Sequence, residues 1–261
     1  MSAIVVDEGL IHYEVFGRGR PVLFVHGWLG SWRYWVPAME ELSVQQRAYA
    51  LDLWGFGDSD KPGRYYTLDA YARQIYKFID KLGVVHPTLV GHALGGVAAL
   101  KFAAENPGWV DQVMAINVPL VNEAINRVLL NIASSADNLM KFVNRRVKFP
   151  EVEMEVRKTD IMAVDKSLQS VMEHDLRRVL PALTIPVLLL YSGNDPFVKS
   201  PERQWLLHCG DNVRALSMNG AQHFPMLEER NKFNRLLKEF LDAGDDLSTL
   251  ELKEEWQRRL R

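Results

Sequence analysis

The sequence predicts an α/β fold built on a mostly parallel central sheet with helices on both faces. Three observations predict it. Apolar runs of strand length alternate with stretches of helical periodicity over most of the chain. Several runs are apolar at every position, the pattern of strands covered on both faces. Glycine-rich turns and polar residues follow these runs, at the strand ends where open α/β sheets bind ligands.

Ile4–Val6 and Ile11–Phe16, with a turn at Glu8-Gly9, read as an opening hairpin. Pro21–Val25 is a continuous apolar run, and Arg47–Leu53 and Pro87–Val90 are two more strands. Thr67 can cap a helix whose apolar face is Leu68, Tyr71, Ile75, Phe78, Ile79 and Leu82, ending at Gly83. Val110–Val118 is the sixth strand, Pro186–Tyr191 the seventh and Val213–Met218 the last. Between the sixth and seventh strands no strand pattern occurs. Helical stretches are expected around Asn122–Asn131, Ser135–Arg146 and Thr159–Leu180, with a charged extended piece at Val147–Val156. An insertion of this size after a strand's C-terminal end reads as a helical lid. The organisation expected is a core of residues 1–118 and 182–243, a lid of 119–181, and a C-terminal amphipathic helix within 244–261. The last rests on Ser248-Thr-Leu-Glu251 as a capping box, followed by Leu252, Trp256 and Leu260, with Arg258, Arg259 and Arg261 at the helix end. That helix either docks on its own domain or contacts a partner.

Composition bounds the function. The chain has 261 residues, 48 % hydrophobic and 25 % charged, as in ordinary globular proteins. A net charge of −2 does not supply the basic face that nucleic-acid binding needs. No apolar run reaches the roughly 18 residues of a membrane span. The start alternates like strands and not like a signal peptide. The single cysteine, Cys209, permits no internal disulfide and reads as a small buried hydrophobe, so a cytoplasmic protein is expected. No zinc spacing and no phosphate-binding loop occurs, and no metal or cofactor is expected.

The chemistry concentrates in four segments. Gly91-His92-Ala93-Leu94-Gly95-Gly96 joins an apolar strand to an Ala-rich helix. A turn this sharp brings strand and helix too close for side chains at Gly91 and Gly95. Val25-His26-Gly27-Trp28-Leu29-Gly30-Ser31 follows an earlier strand. Ser192-Gly193-Asn194-Asp195-Pro196-Phe197 places an acid after the seventh strand, and Asn219-Gly220-Ala221-Gln222-His223-Phe224 places a histidine after the last. These segments, in this order and across almost the whole chain, resemble the α/β-hydrolase superfamily, whose nucleophile elbow is G-x-S-x-G and whose triad order is nucleophile, acid, histidine. The glycine-bearing turn Asp52-Leu-Trp-Gly-Phe-Gly-Asp-Ser59 adds to the likeness; Asp52, Gly55, Gly57 and Ser59 are assigned to turn geometry.

The resemblance implies that His223 is the general base and that Asp195 orients its imidazole. It also implies that the backbone N–H groups of Trp28 and Leu94 form the oxyanion hole. His26 and His92 are read as backbone-bonded scaffold, and His12, His86, His174 and His208, with no acidic neighbours in sequence, as ordinary. The nucleophile position holds Ala93, and a methyl group can neither attack nor be activated. Loss of the nucleophile costs about 10⁶ in rate in a serine protease. Ser31 and Ser59 lie in loops without an elbow and do not replace it.

Three explanations are open: a serine hydrolase with its nucleophile replaced, a natural small-molecule- or partner-binding member, or a His223–Asp195 general base acting without a covalent nucleophile. Haloalkane dehalogenases and epoxide hydrolases of this superfamily would need Asp at position 93. An esterase, thioesterase, lactonase or carbon–carbon-bond hydrolase lineage fits better. Trp28, Trp32, Trp35, Phe197 and Phe224 suggest an apolar pocket. Arg145, Arg146 and Lys148 could meet a substrate carboxylate, although a solvated charged face is the simpler reading.

Overall fold

The computed structural model describes residues 2–146 and 148–250. Eight strands form one sheet, β1 Ser2–Val6, β2 Gly9–Gly17, β3 Arg20–Val25, β4 Gln46–Leu51, β5 Thr88–His92, β6 Gln112–Ile116, β7 Val187–Ser192 and β8 Val213–Met218. Their order in space is β1-β2-β4-β3-β5-β6-β7-β8. β1, β2 and β4 pair antiparallel and every later pairing is parallel. The hairpin turns one residue earlier than expected, with Asp7 and Glu8 at positive φ. β5, β6 and β7 are buried at every position, which accounts for their uninterrupted apolar runs.

Helices cover both faces: α1 Val36–Leu42, α2 Leu68–Leu82, α3 Leu94–Glu105, and, after the helical excursion, α8 Arg203–Leu206, α9 Pro225–Glu228 and α10 Arg230–Ala243. α2 forms as its spacing dictates. Thr67 Oγ1 accepts from Ala70 N–H, Leu68, Tyr71, Ile75, Phe78 and Ile79 are buried, and Gly83 closes the helix in the left-handed region.

Between β6 and β7 run four helices, α4 Arg127–Ala133, α5 Ala136–Arg146, α6 Pro150–Val156 and α7 Ile161–Met172. Two expectations are corrected here. The segment expected to be extended carries α6. Pro150 opens that helix, Glu151 and Glu153 favour its positive end, and Val152, Glu155 and Val156 are buried at helical spacing. The single helix expected over Thr159–Leu180 starts where the Asp160 carboxylate accepts from Met162 N–H and stops at Met172, giving way to short turns. α6 and α7 are bound to the core by polar contacts. Glu155 is fully buried and accepts from Arg33 Nε at 2.7 Å, Lys158 reaches Asp58 at 2.8 Å, and Leu68 N–H donates to Ser170 Oγ at 3.0 Å.

Among the described residues no helix is long and apolar enough to cross a membrane. Cys209 is half-buried, and burial raises its thiol pKa. The expected C-terminal helix lies beyond Leu250, outside the described residues.

Candidate active site

The turn from β5 into α3 passes through a strained residue. Ala93 sits there at φ 46° and ψ −114°, a conformation non-glycine residues rarely adopt, and it is fully buried. Its N–H donates to Ile116 O at 2.8 Å, fixing the turn to the next strand. The neighbouring glycines are there because nothing larger fits. A Cβ on Gly95 would lie 2.3 Å from Val25 O and 2.4 Å from His26 O, and one on Gly91 would lie 2.5 Å from Gly96 Cα. Gly27 is held by the same packing, since a Cβ there would lie 2.9 Å from the Ala93 methyl.

His223 and Asp195 meet. The loops after β8 and β7 bring His223 Nδ1 to 2.9 Å from Asp195 Oδ2, both side chains being almost fully buried. A carboxylate only accepts, so Nδ1 carries the proton and Nε2 keeps the basic lone pair. Asp195 is itself held by Phe197 N–H at 2.7 Å and Val198 N–H at 3.2 Å on its other oxygen. Phe197 stands edge-on to the imidazole with centroids 4.5 Å apart, and His92 lies at the same distance on another side.

His92 is scaffold. Its Nε2 lies 2.8 Å from His223 O, an acceptor, so Nε2–H donates and Nδ1 accepts. Tyr34 OH therefore donates to Nδ1 at 3.0 Å while accepting from Gly27 N–H at 2.6 Å. One chain of hydrogen bonds thus ties the loop after β3 to the His223 loop. Burial, and then the nearby His223, holds the His92 imidazolium pKa well below its usual value, so the ring stays neutral. His26 donates from Nδ1 to Gly27 O at 2.8 Å and accepts Leu53 N–H at 2.9 Å, and burial lowers its pKa too.

The N–H groups of Trp28 and Leu94 donate to no described residue, leaving both unspent beside the elbow. The Trp28 indole donates to Ser167 Oγ at 2.9 Å and so bridges this loop to α7. Ser31 caps a short turn by accepting Arg33 N–H, and Ser59 bonds His12 N–H and Asp52 O, so neither stands beside His223.

A cavity of about 510 Å³ opens in front of His223. α4 contributes Val128, Asn131 and Ile132, and α5 contributes Asn138, Lys141, Phe142 and Arg145. Phe149, Pro196, Phe197, Gln222, Phe224 and Glu228 complete it with His223. Ala93, Trp28 and Leu94 are not among its walls. Arg145 is thus on the cavity, whereas Lys148 is exposed elsewhere. Trp32 and Trp35 likewise lie away from the cavity.

Sequence reasoning missed three groups. Asn117, fully buried at φ 49°, accepts Ser192 N–H at 2.8 Å and donates to His223 O at 3.1 Å, joining the acid strand to the histidine loop. Glu228 accepts Gln222 N–H at 2.5 Å, with burial raising its carboxyl pKa. Lys141 is the third. The fold brings an acid to His12 from far along the chain, so the ring is not the ordinary one expected: Nδ1 lies 3.1 Å from Asp52 Oδ2. His12, Asp52 and Asp58 offer ligand-type atoms within 4.8 Å of one another. Asp52 also accepts from Trp32 N–H and Asp58 N–H, so its lone pairs serve the turn. That is the geometric role expected of this segment, and a Gly57 Cβ would strike the Asp52 carboxylate at 2.2 Å.

A sharp elbow after β5, an acid after β7 and a histidine after β8 define the α/β-hydrolase class. Residues 20–158 match the family model described as alpha/beta hydrolase fold, and the chain belongs to that family. Epoxide hydrolase 4 of Mus musculus is 32 % identical over 152 residues, 56 % of this chain and 42 % of that protein. The dihydrolipoyllysine-residue acetyltransferase component of the acetoin cleaving system of Pseudomonas putida is 27 % identical over 251 residues, 88 % of this chain and 65 % of that protein. The chain therefore spans less than two thirds of either relative. The N-acyl homoserine lactonase AidH, solved in complex with N-butanoyl homoserine, superposes with TM-score 0.81 at 20 % identity, covering 93 % of this chain and 96 % of that one.

Proposed function

We propose that this chain is a serine-hydrolase scaffold for a small ester-like or carbonyl substrate in which acyl-enzyme chemistry is absent because position 93 is alanine. The observation that carries the reading is the formed His223–Asp195 pair beside an elbow whose backbone at Ala93 is still held at φ 46°. That strained turn costs about 1–3 kcal/mol and is held by the Ala93 N–H to Ile116 O bond and the close approach of α3 to the sheet. Its use is to project a nucleophile toward a base. Trp28 and Leu94 supply the oxyanion donors, and residues 119–181 act as a lid over the cavity. The likeness to Epoxide hydrolase 4 does not extend to epoxide opening, which would need a carboxylate at position 93. The proposal places the protein in the cytoplasm and leaves residues 244–261 as a second docking element for the core or a partner.

The test is turnover of short acyl nitrophenyl esters by the chain and by Ala93→Ser. Turnover confined to the serine form supports the reading, and silence of both counts against it in favour of a pure ligand-binding role. A second reading is favoured by the cavity, which reaches His223 but not Ala93. There His223 acts as a general base on bound substrate or water with no covalent step. It requires turnover by the alanine form that His223→Ala abolishes.

A further inference from the structure

We propose that the cavity selects molecules carrying a carboxylate several bonds away from the group presented to His223, and that Lys141 and Arg145 recognise that carboxylate. The proposal rests on the reading of this cavity as the ligand site.

α5 divides cleanly into two faces. Leu139 and Val143 are buried against the core. Asn138, Lys141, Phe142 and Arg145, at spacings of three and four, line the cavity. Neither cation pairs with a carboxylate among the described residues: Asp137, one turn before Lys141, and Glu228, on the opposite wall, form no ion pair with either. Some other cations of the same helical segment are matched: Lys158 holds Asp58 and Glu155, Arg157 holds Glu153, and Arg177 holds Asp175. Arg127, Lys148, Lys166 and Arg178 also form no ion pair among the described residues, so it is a place on the cavity that singles out Lys141 and Arg145. A basic residue near a helix C-terminus gains from the dipole on any face. That gain does not explain why both point to the one side where a ligand can enter.

The rest of the cavity sets the shape of such a ligand. Phe149, Phe197 and Phe224 line the cavity with apolar rings, Phe197 and Phe224 packed against the imidazole, suited to a short hydrocarbon body. The volume of about 510 Å³ lies within the range of small-molecule sites. Arg145 can hold a carboxylate with two parallel N–H donors while Lys141 supplies a point charge. Glu228, on the histidine wall, disfavours the opposite orientation, in which the carboxylate would face His223.

Monomethyl adipate and dimethyl adipate differ by one charge and share both body and ester. Titration calorimetry on the chain as it stands is expected to give about tenfold tighter binding of the monoester, equivalent to roughly 1.4 kcal/mol. The mono-to-diester ratio should fall to about one in Lys141→Ala/Arg145→Ala, invert in Arg145→Glu, and shrink with added salt. Equal binding of the two probes, binding of neither, or a ratio that survives the double substitution overturns the proposal. Hydrolysis by Ala93→Ser separates the two claims. Turnover of both esters with the same kcat/KM overturns the selectivity while sustaining the hydrolase reading. Selective monoester binding without turnover sustains the selectivity and counts against the hydrolase reading.

Discussion

Asn117 holds the candidate site together, and its replacement gives a worked magnitude. In Asn117→Ala the buried Ser192 N–H loses its acceptor at 2.8 Å, which costs about 1–3 kcal/mol for an unpaired buried donor. The amide also donates to Ser192 Oγ at 3.1 Å, Gln222 O at 3.3 Å and His223 O at 3.1 Å. His223 O keeps the His92 donor at 2.8 Å, so these contacts add only about 1 kcal/mol in net terms. The backbone at φ 49° suits asparagine and costs alanine about 1 kcal/mol more. The sum is about 3–5 kcal/mol, a fall in Tm of roughly 6–20 °C for a domain of this size. Asn117→Gly loses the same side-chain bonds without the backbone cost and should lie about 1 kcal/mol above the alanine variant. Urea melts of the three proteins measure both differences. An alanine variant within 0.5 kcal/mol of the parent, or one more stable than the glycine variant, would refute the assignment of Asn117 as the joint between the two loops.

Two further outcomes follow from the geometry. Gly95→Ala forces a Cβ to 2.3 Å from a backbone oxygen and should cost more than about 3 kcal/mol or prevent folding, whereas Gly108→Ala, at φ 87° with open space around it, should cost about 1 kcal/mol; comparable melts for the two would contradict the close-approach argument. His92 and His26 both titrate below their unfolded value of about 6.5, so on acidification the unfolded chain takes up protons that the folded chain refuses. Stability should therefore fall from pH 6.5 to 5 by up to about 2 kcal/mol per ring, whereas His12, raised mainly by Asp52 against the opposing effect of burial, loses its contribution only above pH 6.5. A urea midpoint that is flat or rising as the pH falls from 6.5 to 5 would contradict neutral, buried His26 and His92.

The fold was legible because its signals are local. Each buried strand is a run of apolar residues in the chain, and each motif glycine sits beside the residues it lets approach. The histidine and acid could be read from their places after strands. What could not be read depends on register or on helix faces. Asn117 meets Ser192 only because β6 and β7 pair with Ile116 opposite Leu190. Tyr34 reaches His92 across 58 residues of sequence. α6 was hidden because one of its buried positions is Glu155, a residue that reads as solvent-facing until Arg33 and Lys158 are seen against it. The cavity position of Lys141 required knowing which face of α5 turns inward.

The central claim is that this site lacks a nucleophile and nothing else. Intact-mass measurement after exposure to a fluorophosphonate tests it most directly, on the chain, on Ala93→Ser and on Ala93→Ser/His223→Ala. A single adduct on Ala93→Ser, traced to position 93, absent from the parent and strongly slowed by loss of His223, is the predicted result. An Ala93→Ser protein that folds as the parent does and forms no adduct would contradict the account.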